Sequence, residues 1–428
     1  MRCPRCGTEI TDDSCPNCGY MVTENKNPDQ TQSNELKQNI IRYFTLTSVI
    51  LFIGYTVLST GAMLSLIKLI LPKTIYNSSV IYLVSPIPVI QGGKYYFALG
   101  LFKINGYPFA IYYIALVGII FLSYIVMFYN GTNSFLDYFK ETINGDEDGP
   151  DYLKGPIMRV ACIFAALLFI TYLYTMSLEL LGTSPSTPAG LKESPLWELA
   201  YGFTNAAVWE EVVVRVIYIG VPMVFYAKVK GHKNAKKFLL GGFGLKSRFI
   251  IILIILSSSI FSLAHLASWD IYKIFPTFIA GIGFGYLFAK DGLYSAILLH
   301  FVWDYMSIPD KIMDIPNFNI YFSLILLFWV AVGGYYSFYF IKHGIRWFSK
   351  AKEKEENIIT EKETKKESIS GTASAGFAYV CPNCGNSTAI YTDEGKLKCK
   401  RCGEETDPSS KSYQKRDVEE RGSRWPPS

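Results

Sequence analysis

The chain has 428 residues, of which 50% are hydrophobic and only 18% are charged, and its formal net charge is +5. So small a share of charged residues is low for a soluble protein and fits a membrane protein of several spans with polar ends. The net charge is too small to argue by itself for a nucleic-acid-binding protein. The first 38 residues are polar and rich in cysteine, so we expect no cleavable signal peptide.

Eight of the nine cysteines form two groups, one near each end of the chain. Each group consists of two CxxC pairs, and the tight turn of such a pair places two thiolates on one face. Two pairs complete a tetrahedral site, so the sequence predicts two structural zinc ions. The alternative is disulfide bonds in an exported domain. The predicted ligands are Cys3, Cys6, Cys15 and Cys18 in the first group, and Cys381, Cys384, Cys399 and Cys402 in the second.

The composition divides the chain into six regions. We expect a zinc ribbon at 1–20, a linker at 21–38, a transmembrane domain at 39–348, a charged flexible linker at 349–376, a second zinc ribbon at 377–404 and a disordered tail at 405–428. The predicted fold class is an all-α polytopic membrane protein with about eight transmembrane helices, flanked by two small four-cysteine zinc-ribbon modules.

Eight apolar segments are long enough, or nearly long enough, to span a bilayer. The seventh is short. Within the sixth, the run GIGFG with Gly281, Gly283 and Gly285 permits close approach of neighbouring helices. The predicted segments are 43–71, 108–129, 157–181, 199–227, 249–267, 274–290, 293–308 and 318–341.

The distribution of basic residues predicts the orientation in the membrane. Seven lysines and arginines lie between Lys228 and Arg248, after the fourth segment, whereas the loops after the third, fifth and seventh segments hold one lysine each. The long first loop, with Lys73, Lys94 and Lys103, is an exception. Basic loops stay on the cytoplasmic side, and thiolate ligands need a reducing compartment. We therefore expect a multi-pass protein of the cell membrane with both termini in the cytosol.

Two glutamates and an arginine, Glu210, Glu211 and Arg215, lie inside the fourth apolar segment. A charge at the centre of a bilayer costs at least ~2.5–3.5 kcal/mol, so three together indicate a functional site. Glu211 and Arg215 are four residues apart and share a helix face, which favours a structural ion pair. Glu210 is rotated by about 100° from Glu211. It is left free in a low dielectric, where a carboxylate suits a general base for water.

Two later apolar segments add further polar groups. The fifth holds Phe261 and His265, and the seventh holds His300 and Asp304, each pair four residues apart. Each pair lies on one helix face, and we expect the two faces to border a shared cavity. Any one of these groups could merely stabilise the helix bundle by hydrogen bonding. Their presence on three separate segments favours a function, because each burial has its own energetic cost.

Together these residues resemble a known family. The motifs EExxxR at Glu210–Arg215, FxxxH at Phe261–His265 and HxxxD at His300–Asp304, in that order on separate helices, resemble the CAAX protease and bacteriocin-processing (CPBP or Abi) family. Its best-known members are the Ras-converting type II prenyl proteases. The resemblance covers about residues 157–308 and leaves out the zinc modules. It implies an intramembrane glutamic-type peptidase without a catalytic metal.

The resemblance also implies roles for individual residues. Glu210 and His265 would activate water, His300 and Asp304 would stabilise the oxyanion, and Glu211, Arg215 and Phe261 would support them. Prenyl proteases typically carry Asn where this chain has Asp304, although an acid also occurs there in the broader bacterial and archaeal branch. An amide donates a hydrogen bond to an oxyanion and an ionised carboxylate cannot. Asp304 is therefore either protonated or fixes the tautomer and charge of His300.

Three functions are compatible with the sequence. The favoured one is an endopeptidase that hydrolyses a membrane-associated protein or peptide, prenylated or not. The others are a non-catalytic membrane scaffold whose zinc ribbons recruit a cytosolic partner, and a metal-dependent hydrolase with glutamate and histidine ligands.

We expect two structural zinc ions and no metal at the catalytic site. Expected partners are the substrate, the lipid bilayer and a cytosolic protein. The basic strand from Lys396 to Arg401 is thin evidence for nucleic acid, which we do not expect.

Overall fold

The computed structural model describes a helical region and a short C-terminal module. The first zinc module, with Cys3, Cys6, Cys15 and Cys18, lies outside the described residues, as do the linker at 349–376 and the tail beyond 406. The chain divides into two units after His343. The described residues are 28–91, 94–144, 153–183, 188, 193–245, 247–267, 269–312, 316–342, 344, 381, 383–384, 389–392 and 396–406.

Within the described residues, the first unit contains helices and a β-hairpin that lies between the first two of them. The hairpin comprises β1, Ser78–Gln91, and β2, Lys94–Asn105. The helices are α1 at Pro28–Tyr76, α2 at Gly106–Asn144, α3 at Pro156–Leu180, α4 at Leu196–Val229, α5 at Arg248–Ala264, α6 at Ile274–Lys290, α7 at Leu293–Asp304, α8 at Ile308–Ile312 and α9 at Phe318–Lys342.

All eight predicted apolar segments lie on helices. Six helical stretches are long and apolar enough to cross a membrane, namely α1, α2, α3, α4, α9 and α6 with the 3-10 turn before it. The other two, α5 with 17 residues and α7 with 12, are shorter. They end in 3-10 turns at His265–Ala267 and Tyr305–Ser307. Irregular backbone at membrane depth is tolerated where protein surrounds it or where it lines a cavity, and here it lies beside the predicted site residues.

Two predicted boundaries need correction. The region 21–38 has the composition of a disordered linker, but α1 already begins at Pro28. Proline is tolerated in the first turn of a helix, because its missing N–H has no partner there in any case. The C-terminal module also extends beyond the predicted limit at 404, since β5, Glu405–Thr406, pairs with β4, Leu397–Cys399.

The β-hairpin was not predicted, because its residues were assigned to the loop between the first two spans. Both strands are rich in β-branched and aromatic residues, and Gly92 and Gly93 separate them, which is a hairpin signal. The strands pair antiparallel from Ser78 opposite Asn105 to Gln91 opposite Lys94. The register shifts between Val84 and Val89, where two prolines of β1 cannot donate to the ladder.

Helix α3 lies at the centre of the bundle. It contacts α1, α2, α6 and α7, and its first half is buried. A Cβ added to Gly333 of α9 would overlap the carbonyl oxygen of Ala165 in α3, so this glycine lets the two backbones touch. The carboxylate of Asp291, at the C-terminal end of α6, binds Arg159 near the start of α3. Close packing against α9 and the ion pair with Asp291 therefore fix the position of α3.

The prediction of close helix approach at GIGFG is confirmed. A Cβ on Gly281 would lie 3.0 Å from the Cβ of Ser258, and one on Gly285 would lie 2.9 Å from Ile254. Both neighbours belong to α5. Gly283 faces Ile163 of α3, at 3.1 Å. The three glycines therefore seat α6 against two helices and fix the position of α5.

We predict that Gly333→Ala lowers the thermal stability of the purified protein in detergent, because the added methyl group forces α9 away from α3. Overpacking of this kind costs about 1–3 kcal/mol. The matched control is Gly54→Ala in α1, where a Cβ meets nothing within 4 Å. Alanine is the better helix former, so the control should keep or raise the melting temperature. Equal melting temperatures for the two variants would contradict the close contact.

Candidate active site

Helix α4 is irregular where the two glutamates lie. π-Helical winding runs over Ala206–Glu210 and again over Val212–Gly220, so backbone hydrogen bonds join residues five apart. Pro222 follows the second stretch. It offers no N–H, and its ring clashes with regular α-helical winding before it. π-Helical turns are rare and occur frequently at functional sites.

The carboxylate of Glu211 is enclosed by two nitrogen donors. Its Oε2 accepts a hydrogen bond from Arg215 Nε at 2.9 Å, and its Oε1 lies 3.0 Å from His300 Nδ1. The side chains of Glu211 and Arg215 have 0% exposed surface. The ion pair thus forms at the predicted spacing of four residues. Glu211 also joins α4 to His300 of α7, a contact that the sequence did not predict.

The guanidinium of Arg215 is held by a hydroxyl and two aromatic rings. Its Nη1 donates to Ser257 Oγ at 2.7 Å. Its Cζ lies 5.4 Å from the ring centroid of Phe261 and 5.8 Å from that of Phe284, within the range of cation–π attraction. Nη2 is buried and has no hydrogen-bond partner in the described part of the chain. Arg215 therefore connects α4 with α5 and α6.

The imidazole of His300 faces a carboxylate at each nitrogen. Nδ1 faces Glu211, while Nε2 lies 3.4 Å from Asp304 Oδ2 and 4.0 Å from Glu210 Oε2. The ring of Phe284 stacks on the imidazole at 4.9 Å with an interplanar angle of 15°. His300 is buried, whereas the side chains of Glu210 and Asp304 are 14% and 21% exposed. The Nε2 side of the ring is therefore the more open one.

Glu210 is not the free carboxylate that the sequence predicted. Its Oε1 accepts a hydrogen bond from the phenol of Tyr82 at 2.8 Å, and Tyr82 belongs to strand β1. The prediction missed this partner because it placed residue 82 in an outer loop. Burial and the Glu210 carboxylate raise the pKa of Tyr82 well above its ordinary value, so the phenol keeps its proton and donates. Only Oε2 of Glu210 remains directed at His300.

His265 lies in the turn after α5, somewhat apart from the other groups. Its Nδ1 is 2.8 Å from the carbonyl oxygen of Phe261. Its ring packs on Phe261 with centroids 4.8 Å apart, and the same Phe261 ring lies 6.0 Å from His300. Within the described residues His265 makes no hydrogen bond to Glu210. Phe261 is thus the spacer between the two histidines.

The structure therefore brings most of the predicted residues into one cluster and leaves one at its edge. A continuous series of contacts joins Glu210, Glu211, Arg215, His300 and Asp304, with His265 reached through a phenyl ring. Three residues of the cluster were missed. Ser257 lies four residues before Phe261 on the same helix face, so its presence in the cluster could have been predicted from the spacing. Nothing in the local sequence indicates that Tyr82 or Phe284 belongs to the cluster.

The comparison with known families agrees with this geometry. Residues 192–306 match the family model described as Type II CAAX prenyl endopeptidase Rce1-like. This part of the chain is therefore similar to an Rce1-like domain. It contains α4 to α7 and all the motif residues, but not the hairpin, α1 to α3 or the cysteine modules. No curated protein and no solved structure matches the chain.

A cavity of about 200 Å³ lies beside the Rce1-like site. Trp303, the neighbour of Asp304, and Lys273 line it together with residues from α3 and α6. The ammonium of Lys273 lies 4.1 Å from the ring centroid of Trp269 and interacts electrostatically with Asp304 and Glu210. The volume exceeds the ~150 Å³ that accommodates benzene in an engineered protein cavity. A side chain of a bound molecule fits in it.

The four C-terminal cysteines have the geometry of a metal site. Sγ of Cys381 lies 3.5 Å from Sγ of Cys402, and Sγ of Cys384 lies 3.6 Å from Sγ of Cys399. All four sulfur atoms lie within 4.8 Å of one another. Ligands at about 2.3 Å from a tetrahedral zinc ion lie ~3.8 Å apart, so the quartet fits a metal ion. The short sheet β3, Ala389–Tyr391, with β4 and β5 carries Cys399.

Proposed function

We propose that the protein is an intramembrane endopeptidase that hydrolyses a peptide bond of a membrane-associated protein or peptide. Water activated by Glu210 and His265 would be the nucleophile. The observation that carries this proposal is the unequal environment of the two adjacent glutamates. Both oxygens of Glu211 are occupied inside the protein, whereas Glu210 keeps one oxygen on the open side. One carboxylate is therefore structural and its neighbour is available for chemistry.

The tautomer of His265 supports its part in water activation. A carbonyl oxygen only accepts hydrogen bonds, so the contact with Phe261 requires a proton on Nδ1. In the neutral ring Nε2 then holds the lone pair and can accept a hydrogen bond from water. The same arrangement, in which one nitrogen is anchored so that the other can act, orients histidine bases in other enzymes.

The proposed reaction uses Glu210 and His300 of the cluster, with His265 at its edge as a second hydrogen-bond partner of the water. Glu210 takes a proton from water as the oxygen attacks the carbonyl carbon, which gives a tetrahedral intermediate. His300 Nε2–H donates to the oxyanion, on the side of the ring that is open. When the C–N bond breaks, Glu210 returns the proton to the departing nitrogen. The immediate products are a carboxylic acid and an amine, and Glu210 is again a carboxylate, so atoms and charges balance.

Asp304 most simply serves as the ionised partner of His300. Both nitrogens of the imidazole face carboxylate oxygens, and only an imidazolium donates from both at once. A positive ring suits a group that must face a developing negative charge. Asp304 then takes the place of the family's asparagine indirectly. It stabilises the positive charge of His300, and His300 donates to the oxyanion.

We also propose a substrate class and an orientation in the membrane. The family description names CAAX prenyl endopeptidases, and the cavity beside Trp303 can take a side chain near the cleaved bond. We propose a membrane-associated substrate, prenylated or not, and both termini in the cytosol with the basic stretch between α4 and α5 on that side.

The C-terminal cysteines, and those near the N terminus, would each hold a structural zinc ion. The two modules would contact a cytosolic protein.

Trapping identifies the substrate. The Glu210→Gln variant is expressed in native membranes and crosslinked, and the proteins that accumulate on it relative to wild type are identified by mass spectrometry. Candidate peptides are then offered to the purified enzyme in proteoliposomes with and without a prenyl group. Cleavage that depends on the prenyl group would assign the chain to prenyl-protein processing. Cleavage without it would assign a broader peptidase.

We predict that Glu210→Gln abolishes hydrolysis of a fluorogenic CAAX peptide in proteoliposomes and leaves folding intact. The amide keeps the volume and can still accept from Tyr82, but it cannot take a proton from water. The matched control is Glu198→Gln, the same change at an exposed position of α4, which should keep wild-type turnover. Activity retained in Glu210→Gln, or a large fall in its melting temperature, would refute the assigned role.

We predict that Asp304→Asn lowers kcat about 10²-fold, the cost of weakening one oxyanion donor. The amide no longer favours an imidazolium at His300. The rate is measured against pH with the same peptide. If Asp304 were instead a protonated donor, the asparagine variant would match or exceed wild type, and the pH dependence due to Asp304 would disappear. Full activity with an unchanged acid limb of the profile would exclude the ionised role.

We predict that the full chain binds about two zinc ions, and that serine at both Cys384 and Cys399 removes one of them, since two of four ligands are lost. Elemental analysis normalised to protein gives the number. Cys162→Ser is the control, because Cys162 is a buried cysteine in α3 far along the chain from either quartet, and its zinc content should stay at the wild-type value. Unchanged zinc in the double variant would contradict the C-terminal site.

A further inference from the structure

Strand β1 is fixed to α4 by hydrogen bonds next to the reactive carboxylate. Trp209 Nε1 donates to the carbonyl oxygen of Tyr82 at 2.5 Å, and the phenol of Tyr82 donates to Glu210 at 2.8 Å. Two consecutive residues of α4 therefore bind the backbone and the side chain of one residue in the hairpin. A third bond, from the Tyr218 phenol to the carbonyl oxygen of Val84 at 2.5 Å, anchors β1 further along.

We propose that Tyr82 is a positioning residue of the active site, and that the hairpin is a working part of the catalytic unit. The phenol would hold Oε1 of Glu210 so that Oε2 faces His300 and the attacking water. This rests on the proposed function of Glu210 as the base. Tyr82 lies outside residues 192–306 that match the Rce1-like family, so the inference extends the site to a separate segment of the chain.

The bond restricts the orientation of the carboxylate. A carboxylate on a glutamate side chain rotates about its terminal torsion, which has broad preferences, and one fixed oxygen removes that freedom. The other titratable groups that face Glu210 are His300 of α7 and Lys273 before α6, and Glu211 adjoins it on α4.

The hairpin is also next to the second water-activating residue. Strand β2 packs against the turn His265–Ala267 at the end of α5, and both strands contact α5. One element thus touches the segments that carry Glu210 and His265, which make no hydrogen bond to each other among the described residues. The hairpin sets their separation, and a displacement of β1 would break the bond to Glu210.

The test compares Tyr82→Phe with Tyr218→Phe, two changes that each remove one phenolic oxygen bound across the same interface. Only the first touches Glu210. With the fluorogenic CAAX peptide, Tyr82→Phe should lower kcat about tenfold with KM unchanged, which corresponds to one hydrogen bond to a charged group. Tyr218→Phe should keep the wild-type rate, because Trp209 and Tyr82 still hold β1 in place.

A second readout does not depend on peptidase activity. Dicyclohexylcarbodiimide attaches covalently to carboxyl groups in apolar surroundings, and mass spectrometry measures the extent of its attachment to Glu210 at one fixed pH. Tyr82→Phe should raise the extent of labelling, because Oε1 of Glu210 loses the hydrogen bond that occupies it, while Tyr218→Phe should not. Labelling that changes equally, or not at all, in the two variants would overturn the role of Tyr82 even if the protein cleaves no peptide. Peptide cleavage that survives Glu210→Gln would instead refute the proposed function.

Discussion

The site depends on one buried carboxylate that two helices share. Glu211 has no exposed surface, and its two oxygens are taken by Arg215 of the same helix and by His300 of α7. A buried charge without partners would cost several kcal/mol, so the cluster is stable only when the partners are all in place. Arg215 extends the contact to Ser257 of α5. One ion pair therefore fixes the relative positions of three helices that carry the motifs.

This constraint gives one of two adjacent glutamates a structural contact and leaves the other available for the proposed chemistry. Because Glu211 neutralises Arg215 and orients His300, neither task falls to Glu210. Glu210 can then be partly exposed, with one oxygen held by Tyr82 and the other facing Nε2 of His300. π-Helical winding on both sides of Glu211 sets the two adjacent carboxylates in different surroundings. Much of both stretches is buried in protein, where irregular winding is tolerated.

Local spacing in the sequence predicted the contacts within a helix but not the contacts between distant segments. The pairs Glu211–Arg215 and His300–Asp304 follow from a spacing of four residues, and the glycines at 281, 283 and 285 correctly indicated close packing of α6. The bond from Glu211 to His300 spans 89 positions, and the bond from Tyr82 to Glu210 spans 128. Both depend on tertiary arrangement. The hairpin was missed because hydropathy treats a segment between spans as a loop.

A double-mutant cycle on the free energy of unfolding tests the central role of the shared carboxylate most directly. The variants are Glu211→Gln, Arg215→Met and the combination, measured in detergent. Each single change removes one partner of a buried ion pair and should cost about 3–5 kcal/mol. The double variant should lose much less than the sum of the two single losses, because neither charge of the pair remains. Additive losses would show that Glu211 and Arg215 do not depend on each other and would contradict the account.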